Sequence, residues 1–548
     1  MNRIRPTRGR PARIERAACA VLVALLLWIV AGPARAVDAT ALRTLAAEDF
    51  DEKVAAIEAI AASPGPMTLA VLEALRDGRL RVDGAGRGWI VDGAAVRDAA
   101  TGAPAALPSP EPAEVTINNA IRAQLDGAIA ALALFARERG VRLAAARALQ
   151  DGEDDSLLPT LRRAAAAETD PAVRSALALA IAAITLRADD PVERLAAAKA
   201  LASSDRASVR AMLAARLERG ADGAPTEPDP AVRAAARSAL DAVSARLARA
   251  EWFGRIFAGL SLGSILMLAA IGLAITYGLL GVINMAHGEM LMLGAYATFV
   301  TQTAFRGWAP EWFDWYPVAA LPVAFLFAAA VGVVIERTVI RWLYGRPLET
   351  LLATWGVSLI LIQAVRQVFG PQNVEIENPA WLSGGVVLGP LVMPWNRIVI
   401  IAFAVAVVSA VALVLLRTRL GLFVRAVTQN RPMAGAIGVP TDRVDMLAFG
   451  LGSGIAGLGG VALSQVGNVG PELGQSYIID SFIVVVLGGV GQLLGTVVAG
   501  FGLGVTGKLL EPWLGAVITK IVILAAIVVF IQKRPSGLFA LKGRAAEA

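Results

Sequence analysis

The chain has 548 residues, of which 56% are hydrophobic, and its formal net charge at pH 7 is +6. With a mean hydropathy of +0.61, it is too apolar for an ordinary water-soluble protein of this length. Nucleic-acid binding is not indicated, because the Lys and Arg residues fall mainly in short clusters between apolar segments, as membrane topology signals do. A polar first half precedes an apolar second half, since 32 of the 45 acidic residues lie before residue 254.

Residues 1–36 have the features of an export signal peptide. Six arginines precede an apolar run at 17–31, and "ARA" at 34–36 supplies the small residues that a signal peptidase requires. The alternative is an uncleaved anchor, although the run is short for a span of about 20 residues. The only cysteine, Cys19, lies in this segment, so we expect no disulfide and no thiolate metal site in the exported part.

Residues 37–250 are predicted to form an exported helical domain with a hairpin or loop insertion at 79–112, where Gly and Pro interrupt the helical pattern. Further on, "RLAAARAL" at 142–149 matches "RLAAAKAL" at 194–201, and segments that begin with "DP" at 170, 190 and 229 share one frame. Asp caps a helix and Pro occupies its first turn, so these units resemble HEAT-type repeats of an α-solenoid. An Ala-rich helical bundle is the alternative. In either case we expect a binding or scaffolding surface without catalytic groups.

The second half is predicted to be a transmembrane domain at 254–533, which makes the fold class all-α: a polytopic membrane protein of about nine spans behind a HEAT-like α-solenoid. The spans are expected near 254–279, 286–304, 317–336, 350–369, 397–416, 446–466, 478–491, 495–510 and 514–532. Several are shorter than about 20 residues, so the Gly-interrupted pair at 478–510 is also compatible with half-helices.

Charge indicates the orientation of these spans, because short cytoplasmic loops carry an excess of Lys and Arg. Basic clusters follow the third, fifth and ninth predicted spans: Arg337, Arg341 and Arg346, then Arg417, Arg419, Arg425, Arg431 and Arg443, and finally Lys533, Arg534, Lys542 and Arg544. The intervening loops are acidic or aromatic, as in "WAPEWFDWY" at 308–316. An exported N-terminal domain, nine crossings and a cytoplasmic tail at 534–548 are therefore mutually consistent.

The segment "GFGLGVTGKLL" at 500–510 looks like a nucleotide-binding loop but is rejected as one. Leu509 occupies the position at which a phosphate loop requires Ser or Thr, and the segment lies within an apolar span rather than after a strand. Small residues spaced four apart, as in Gly450 with Gly454, more simply indicate close helix contacts in a bilayer. We predict no cofactor, no metal site, no catalytic residue and no enzyme activity in this chain.

The stretch "LSLGSILMLAAIGLAITYGLLGVINMAHGEMLMLGAYATF" at 260–299 resembles the permease subunits of branched-chain amino acid ABC importers. So does "RAVTQNRPMAGAIGVPTDRVDMLAFGLGSGIAGLGGVAL" at 425–463, and the similarity continues through "VVVLGGVGQLLGTVVAGFGLG" to "KRPSGLFALKGR", covering about 254–544. An exported domain that opens with "EDFDEKVAAIEAIAAS" at 48–63 is similar to that of the urea-type branch of this family.

This resemblance implies a multi-pass subunit of the bacterial inner membrane. It would pair with a second homologous permease, two cytoplasmic ATPases that hydrolyse ATP, and a periplasmic substrate-binding protein. Few charges lie at membrane depth, chiefly Glu289 and Lys520, which favours a neutral solute such as urea. The alternatives are a branched-chain amino acid or short-amide permease, and, in a different class, a passive channel or a membrane-anchored receptor.

Two groups of residues are candidates for function. The basic loop at 421–445 is expected to offer a short helix to an ATPase, and a plain positive-inside loop is the alternative. Its candidate coupling residues are Arg425, Gln429, Asn430, Ala434, Gly438 and Arg443.

The second group is Asn284, His287 and Glu289, which include the only histidine of the chain. A polar side chain at membrane depth costs about 2.5 to 3.5 kcal/mol unless it faces protein or water, so we expect none of the three to face lipid. A helix broken at Gly281 and Gly288 would hold them as a polar constriction on the translocation path. The alternatives are a hydrogen-bond lock between the first two spans and a cytoplasmic-side turn.

Overall fold

The computed structural model describes residues 38–539 except for 48, 63–64, 94, 110, 152–153 and 220–222. The predicted export signal and the end of the predicted tail lie outside these residues. The chain divides into two compact units, Met1–Arg246 and Leu247–Ala548. This division lies a few residues before the boundary that the change in composition indicates.

The first unit begins with three helices and a small sheet. The helices are α1 (Ala39–Leu45), α2 (Phe50–Ala62) and α3 (Thr68–Arg76). The strands, in antiparallel order β1–β2–β3, are β1 (Leu80–Val82), β2 (Gly88–Asp92) and β3 (Ala95–Asp98). Leu80 pairs with Ile90, and both pack into one apolar core with the helices. This part of the chain, at 79–112, therefore departs from the predicted all-α fold.

The rest of the first unit is helical. Its helices are α4 (Asn119–Ala133), α5 (Arg139–Ala148), α6 (Leu158–Ala167), α7 (Pro171–Thr185), α8 (Pro191–Leu201), α9 (Ala207–Leu217) and the beginning of α10 (Pro230–Leu280). As the sequence predicts, the side chains of Asp170 and Asp190 cap α7 and α8, and each helix has Pro in its first turn.

An arginine three residues after the first residue of a helix recurs in α5, α7, α8 and α10. Each of these arginines donates hydrogen bonds to two backbone carbonyls, five and six residues earlier in the chain. The four arginines are Arg142, Arg174, Arg194 and Arg233. The segments that match in sequence therefore share one local structure, in which an arginine holds the turn that precedes its own helix.

Two of these arginines also bind a carboxylate of a later turn. Arg142 donates two hydrogen bonds to Glu168, and Arg194 donates two to Glu227, whose side chain is 1% exposed. The same carboxylates accept backbone amides near the start of α7 and α10. Each ion pair thus ties one helix to the entry of another, with the geometry that suits an arginine fork.

The second unit contains the end of α10 and the helices that follow it. They are α11 (His287–Trp308), α12 (Tyr316–Thr338), α13 (Pro347–Phe369), α14 (Trp395–Arg417), α15 (Arg419–Gln429), α16 (Arg431–Ala436), α17 (Thr441–Ser464), α18 (Leu473–Gly488) and α19 (Leu493–Lys533). A hairpin of β4 (Gly385–Leu388) and β5 (Leu391–Pro394) precedes α14. Gly515 has a φ of 75°, which breaks α19 into two helical segments.

Six of the described helices are long and apolar enough to cross a membrane. They are α10, α12 with the short 3-10 turns that flank it, α13, α14, α17 and α19. α18 has an apolar sequence but only 16 residues. The count of nine spans stays a prediction.

α17 lies in the core of the second unit and approaches its neighbours through small residues. A Cβ atom on Gly294 of α11 would lie 2.1 Å from the carbonyl oxygen of Gly457 of α17. A Cβ atom on Gly332 of α12 would lie 2.2 Å from Oγ of Ser453. The backbones are therefore in direct contact, as the spacing of small residues predicts for helices that associate in a bilayer.

Candidate functional site

α11 begins inside the packed second unit rather than at its edge. α10 ends at Leu280, Gly281 turns the chain with a φ of 65°, and His287 is the first residue of α11. Nε2 of His287 lies 3.0 Å from the carbonyl oxygen of Ala269. Ala269 precedes the end of α10 by eleven residues, about 16 Å at 1.5 Å per residue. The chain therefore runs back along α10 before α11 starts.

α10 ends directly before Gly281 and the chain then runs back, so α10 and α11 are separate helices rather than the predicted single helix broken at Gly281 and Gly288. Gly288 belongs to the first turn of α11, where it makes a close contact with another helix. A Cβ atom on Gly474, in the first turn of α18, would lie 2.5 Å from the carbonyl oxygen of Gly288. It would also lie 2.8 Å from Oε2 of Glu289. The N-termini of α11 and α18 thus meet at the Glu289 carboxylate, where both helix dipoles favour negative charge.

Asn284, His287 and Glu289 are 2%, 0% and 1% exposed, so none of them faces lipid or solvent. Oδ1 of Asn284 accepts the amide of Ala286 at 3.0 Å, and Oε1 of Glu289 accepts the hydroxyl of Ser358 at 2.9 Å. The other polar side-chain atoms, Nδ2 of Asn284, Nδ1 of His287 and Oε2 of Glu289, have no hydrogen-bond partner among the described residues. Buried polar atoms without partners are rare in native proteins.

His287 and Glu289 contact different neighbours. Because the Ala269 carbonyl can only accept, Nε2 of His287 carries the hydrogen, and in a neutral imidazole Nδ1 is then an acceptor. This bond joins α10 to α11, so it is also what a hydrogen-bond lock between the first two spans requires. Glu289 instead faces α13 and α18. The three residues lie within one loop and one helical turn without forming a single hydrogen-bonded cluster.

Sequence reasoning missed the part of α13 that supports this turn. The Thr354 hydroxyl accepts the amide of Met285 at 3.1 Å, and Ser358 binds Glu289. Thr350, Thr354 and Ser358 recur at intervals of four on an otherwise apolar helix, and all three are buried. That spacing places them on one face of the helix. The sequence therefore could have predicted a polar stripe that packs against other helices of the protein rather than against lipid.

The predicted coupling loop at 421–445 contains two short helices, α15 and α16, and the start of α17. Arg425, Gln429, Asn430 and Arg443 are exposed, and Oδ1 of Asn430 caps α16 by accepting the amide of Met433 at 3.0 Å. Gly438 is exposed with a φ of 90°.

Ala434 differs from the other candidates because it is 2% exposed, in the same apolar core as Val427 and Val444. Its side chain packs α16 against this core and is therefore not available to a partner protein. The exposed apolar side chains of this segment, which sequence reasoning did not single out, are Leu422, Met433 and Ile437, at 57%, 59% and 72% exposure. They lie among arginines, which suits a surface that enters a groove of another protein.

In the described part of the chain, no group of three or more His, Cys, Asp and Glu side chains could hold a metal ion. Residues 255–531 match the family described as branched-chain amino acid transport system, permease component. The chain belongs to this permease family. Both candidate sites lie within the matched residues of the permease, whereas its first unit lies outside them.

Individual relatives agree with the family match. The permease is 31% identical over 292 residues to the high-affinity branched-chain amino acid transport system permease protein LivH of Escherichia coli K12, which covers 52% of this chain and 94% of LivH. BraD of Pseudomonas aeruginosa, with the same description, is 30% identical over 287 residues, 51% of this chain and 93% of BraD. LivM of Escherichia coli K12 is 25% identical over 277 residues, 46% of this chain and 63% of LivM.

No solved structure matches the chain. The relatives are permease components of transport systems, and residues 38–539, where described, contain six long apolar helices, so the permease is a multi-pass integral membrane protein.

Proposed function

We propose that this permease is a membrane subunit of an ABC importer for urea. It would form the translocation path with a second homologous permease, receive its solute from a periplasmic binding protein, and be driven by two cytoplasmic ATPases. Family membership supports the transport role. The main structural support for the proposal is that the N-termini of α11 and α18 meet at the buried Glu289 carboxylate.

Helix N-termini that lie at membrane depth commonly line transporter binding sites. The unpartnered atoms near this turn supply both kinds of hydrogen-bonding group that urea needs. Nδ2 of Asn284 can donate to a carbonyl oxygen, while Oε2 of Glu289 and Nδ1 of His287 can accept from an amino group. We therefore propose Asn284, His287 and Glu289 as residues of the translocation path, with Ser358 holding Glu289 in position.

A branched-chain amino acid is the second candidate solute, and one structural feature favours it. Oε2 of the buried Glu289 carboxylate has no hydrogen-bond partner among the described residues and can pair with the ammonium group of an amino acid. The relatives LivH and BraD are described as branched-chain amino acid permeases. A short amide shares the hydrogen-bonding groups of urea and belongs with the first candidate.

The segment 419–436, which consists of α15 and α16 and is called the coupling segment below, is proposed to dock on an ATPase. Its exposed apolar residues Leu422 and Met433, with Ile437 directly after it, support this role, and Arg425 is exposed beside them. A passive channel or a receptor has no use for such a surface. Gly438 would then set the path of the chain between α16 and α17.

We propose nine spans with a cytoplasmic C-terminus. Among the described residues, nine helical segments are available for these spans: the end of α10, then α11, α12, α13, α14, α17, α18 and the two segments of α19. The two basic clusters that follow the third and fifth predicted spans lie at the same end of the second unit, because Arg341 pairs with Asp442 and Arg431 lies over the ring of Tyr344. This supports a cytoplasmic location for that end.

The first unit is proposed to be an exported domain with HEAT-type repeats. Its recurrent arginines and Asp-Pro helix starts support repetition of one structural unit. Its function would be to bind or hold a component outside the membrane.

Uptake of labelled urea and labelled leucine, measured in cells with and without this chain, tests the proposal. We expect uptake of urea that depends on the chain and on ATP. Uptake of leucine without uptake of urea would identify a branched-chain amino acid, not urea, as the transported solute. Uptake that persists after ATP is depleted would instead favour a passive channel.

A further inference from the structure

Arg431, the first residue of α16, makes a directed contact with α17. Its guanidinium donates two hydrogen bonds to the carboxylate of Asp445, one at each oxygen, and it lies 4.8 Å from the centre of the Tyr344 ring. Asp445 is 1% exposed, whereas the Arg431 side chain is 37% exposed. The pair therefore joins an exposed helix to a buried carboxylate.

The contact continues from Tyr344 into α12. The Tyr344 hydroxyl donates to Oε1 of Glu336 at 3.2 Å, and Glu336 is 2% exposed. Arg337, next to Glu336, contacts Sδ of Met446 in α17 at 3.2 Å. Arg431 thus contacts α17 directly through Asp445 and is linked to α12 through Tyr344.

α17 leads from this contact to the buried polar residues. Gly452 follows Asp445 by seven residues, about 10 Å along the helix. A Cβ atom on Gly272 of α10 would lie 2.3 Å from the carbonyl oxygen of Gly452 and 3.0 Å from Cε1 of His287. With no free space at this crossing, α17 cannot shift without moving α10 or the first turn of α11.

We propose that Arg431 and Asp445 form the joint that passes movement of the coupling segment into α17 and so to the turn that holds His287 and Glu289. Apolar contacts lack direction and allow sliding, whereas a two-point guanidinium–carboxylate contact fixes both distance and angle. Separation of the pair would leave the Asp445 carboxylate buried without its counter-charge, which is strongly unfavourable. Both are positioning residues, and the inference rests on the proposed function because it requires an ATPase on the coupling segment.

The test uses the whole assembly, captured from its native membranes by a tag on this chain. Four measurements are made on each variant: the amount of this chain, the amount of ATPase subunit captured with it, the rate of ATP hydrolysis, and uptake of labelled urea and labelled leucine in cells. The variants are Asp445→Asn, Arg431→Gln, the exchange Arg431→Asp with Asp445→Arg, and the control Glu349→Gln. The control removes an exposed ion pair with Arg346.

We expect both single variants to retain the chain, the captured ATPase and ATP hydrolysis, while uptake falls about tenfold or more because the joint is broken. The exchange variant should recover part of the uptake, which a loss of folding would not allow. The control should stay within about twofold of the wild type, as expected for an exposed pair.

Normal uptake by Asp445→Asn would contradict the proposal that Arg431 and Asp445 pass movement into α17. So would a fall in uptake that merely follows the loss of captured ATPase or of the chain, because the pair would then act in docking or folding. The exchange variant must also exceed both single variants. A wild-type assembly that captures no ATPase, or that takes up neither solute, would overturn the proposed function and the joint with it.

Discussion

Ser358 donates a hydrogen bond to Oε1 of Glu289 at 2.9 Å, from the middle of α13 to the first turn of α11. The bond satisfies one carboxylate oxygen and leaves Oε2 directed toward Gly474, at the N-terminus of α18. One oxygen therefore fixes the side chain, and the other remains available where the two helices meet. This division of roles allows the two oxygens to be tested separately.

We predict that Glu289→Gln lowers uptake of the transported solute about tenfold, because the amide removes the charge that both helix dipoles favour and replaces one acceptor by a donor. Ser358→Ala should have a smaller effect, about threefold, since it removes only the positioning bond. Uptake is measured at equal membrane abundance of the chain. Ser409→Ala is the matched control, because Ser409 is exposed and bonds only to its own helix. Wild-type uptake by Glu289→Gln would contradict the path assignment.

The second prediction concerns the pH dependence of the first unit. Hydrogen bonds from Arg142 and from the amides of Asp170 and Thr169 lower the pKa of Glu168 to about 2 from an ordinary 4.5. Because the folded pKa lies below the unfolded one, the stabilisation is complete above about pH 4.5 and is lost as pH falls toward 2. In the full chain, amide hydrogen exchange in α7, corrected for its intrinsic pH dependence, should become less protected over this interval.

Glu168→Gln should lower the protection of α7 at neutral pH and remove the additional loss in acid. Glu193→Gln serves as the control, since its pair with Arg162 is exposed and 3.9 Å long. An unchanged acid profile in Glu168→Gln would mean that this carboxylate does not stabilise the unit.

The sequence predicted what local chemistry determines. Asp170 and Pro171 mark the start of α7 because capping depends on a few adjacent residues, and Gly281 marks the end of α10 because a φ of 65° is easily adopted by glycine. The cost of a polar side chain at membrane depth also indicated correctly that Asn284, His287 and Glu289 avoid lipid, but it gave no position along the neighbouring helix. It could not show that His287 lies level with Ala269, because the depth at which a helix starts is decided by packing between helices.

Short elements were predicted without their detail. Strands of three to five residues at 80–98 have too few positions for a clear alternation, so they were expected only as a hairpin or loop. α15 and α16, with 11 and 6 residues, are too short to be stable alone and form because Val427 and Ala434 are buried in the core. Arg431 was counted only as a positive charge, because its partner Asp445 becomes adjacent only in the folded chain.

The third prediction is topological. A reporter fused after Ala548 should be cytoplasmic, and one inserted near Ser109 should be periplasmic, because nine crossings separate them and the basic clusters orient the spans. Enzymatic reporters that are active on only one side of the membrane measure both positions. Two reporters on the same side would rule out an odd number of crossings.

The last prediction concerns Gly438, which links α16 to α17. Its φ of 90° is unfavourable for any residue with a Cβ atom, although the space around it is open. Gly438→Trp should therefore change the path of the backbone between the two helices and add bulk at an exposed site, without altering the packing of the spans. We expect normal membrane abundance, loss of captured ATPase and loss of uptake.

Gly435 provides the matched comparison, because it is exposed, lies within α16 and also has open space around it, but its φ is not positive. Gly435→Ala should keep uptake near the wild-type level, since alanine favours a helix, whereas Gly438→Ala should lower it through backbone strain alone. The measurements are membrane abundance, ATPase captured with the chain, and uptake of labelled urea at micromolar concentration. Gly438→Trp with a full complement of ATPase and normal uptake would show that the loop at 421–445 tolerates change at this turn and is not a coupling element.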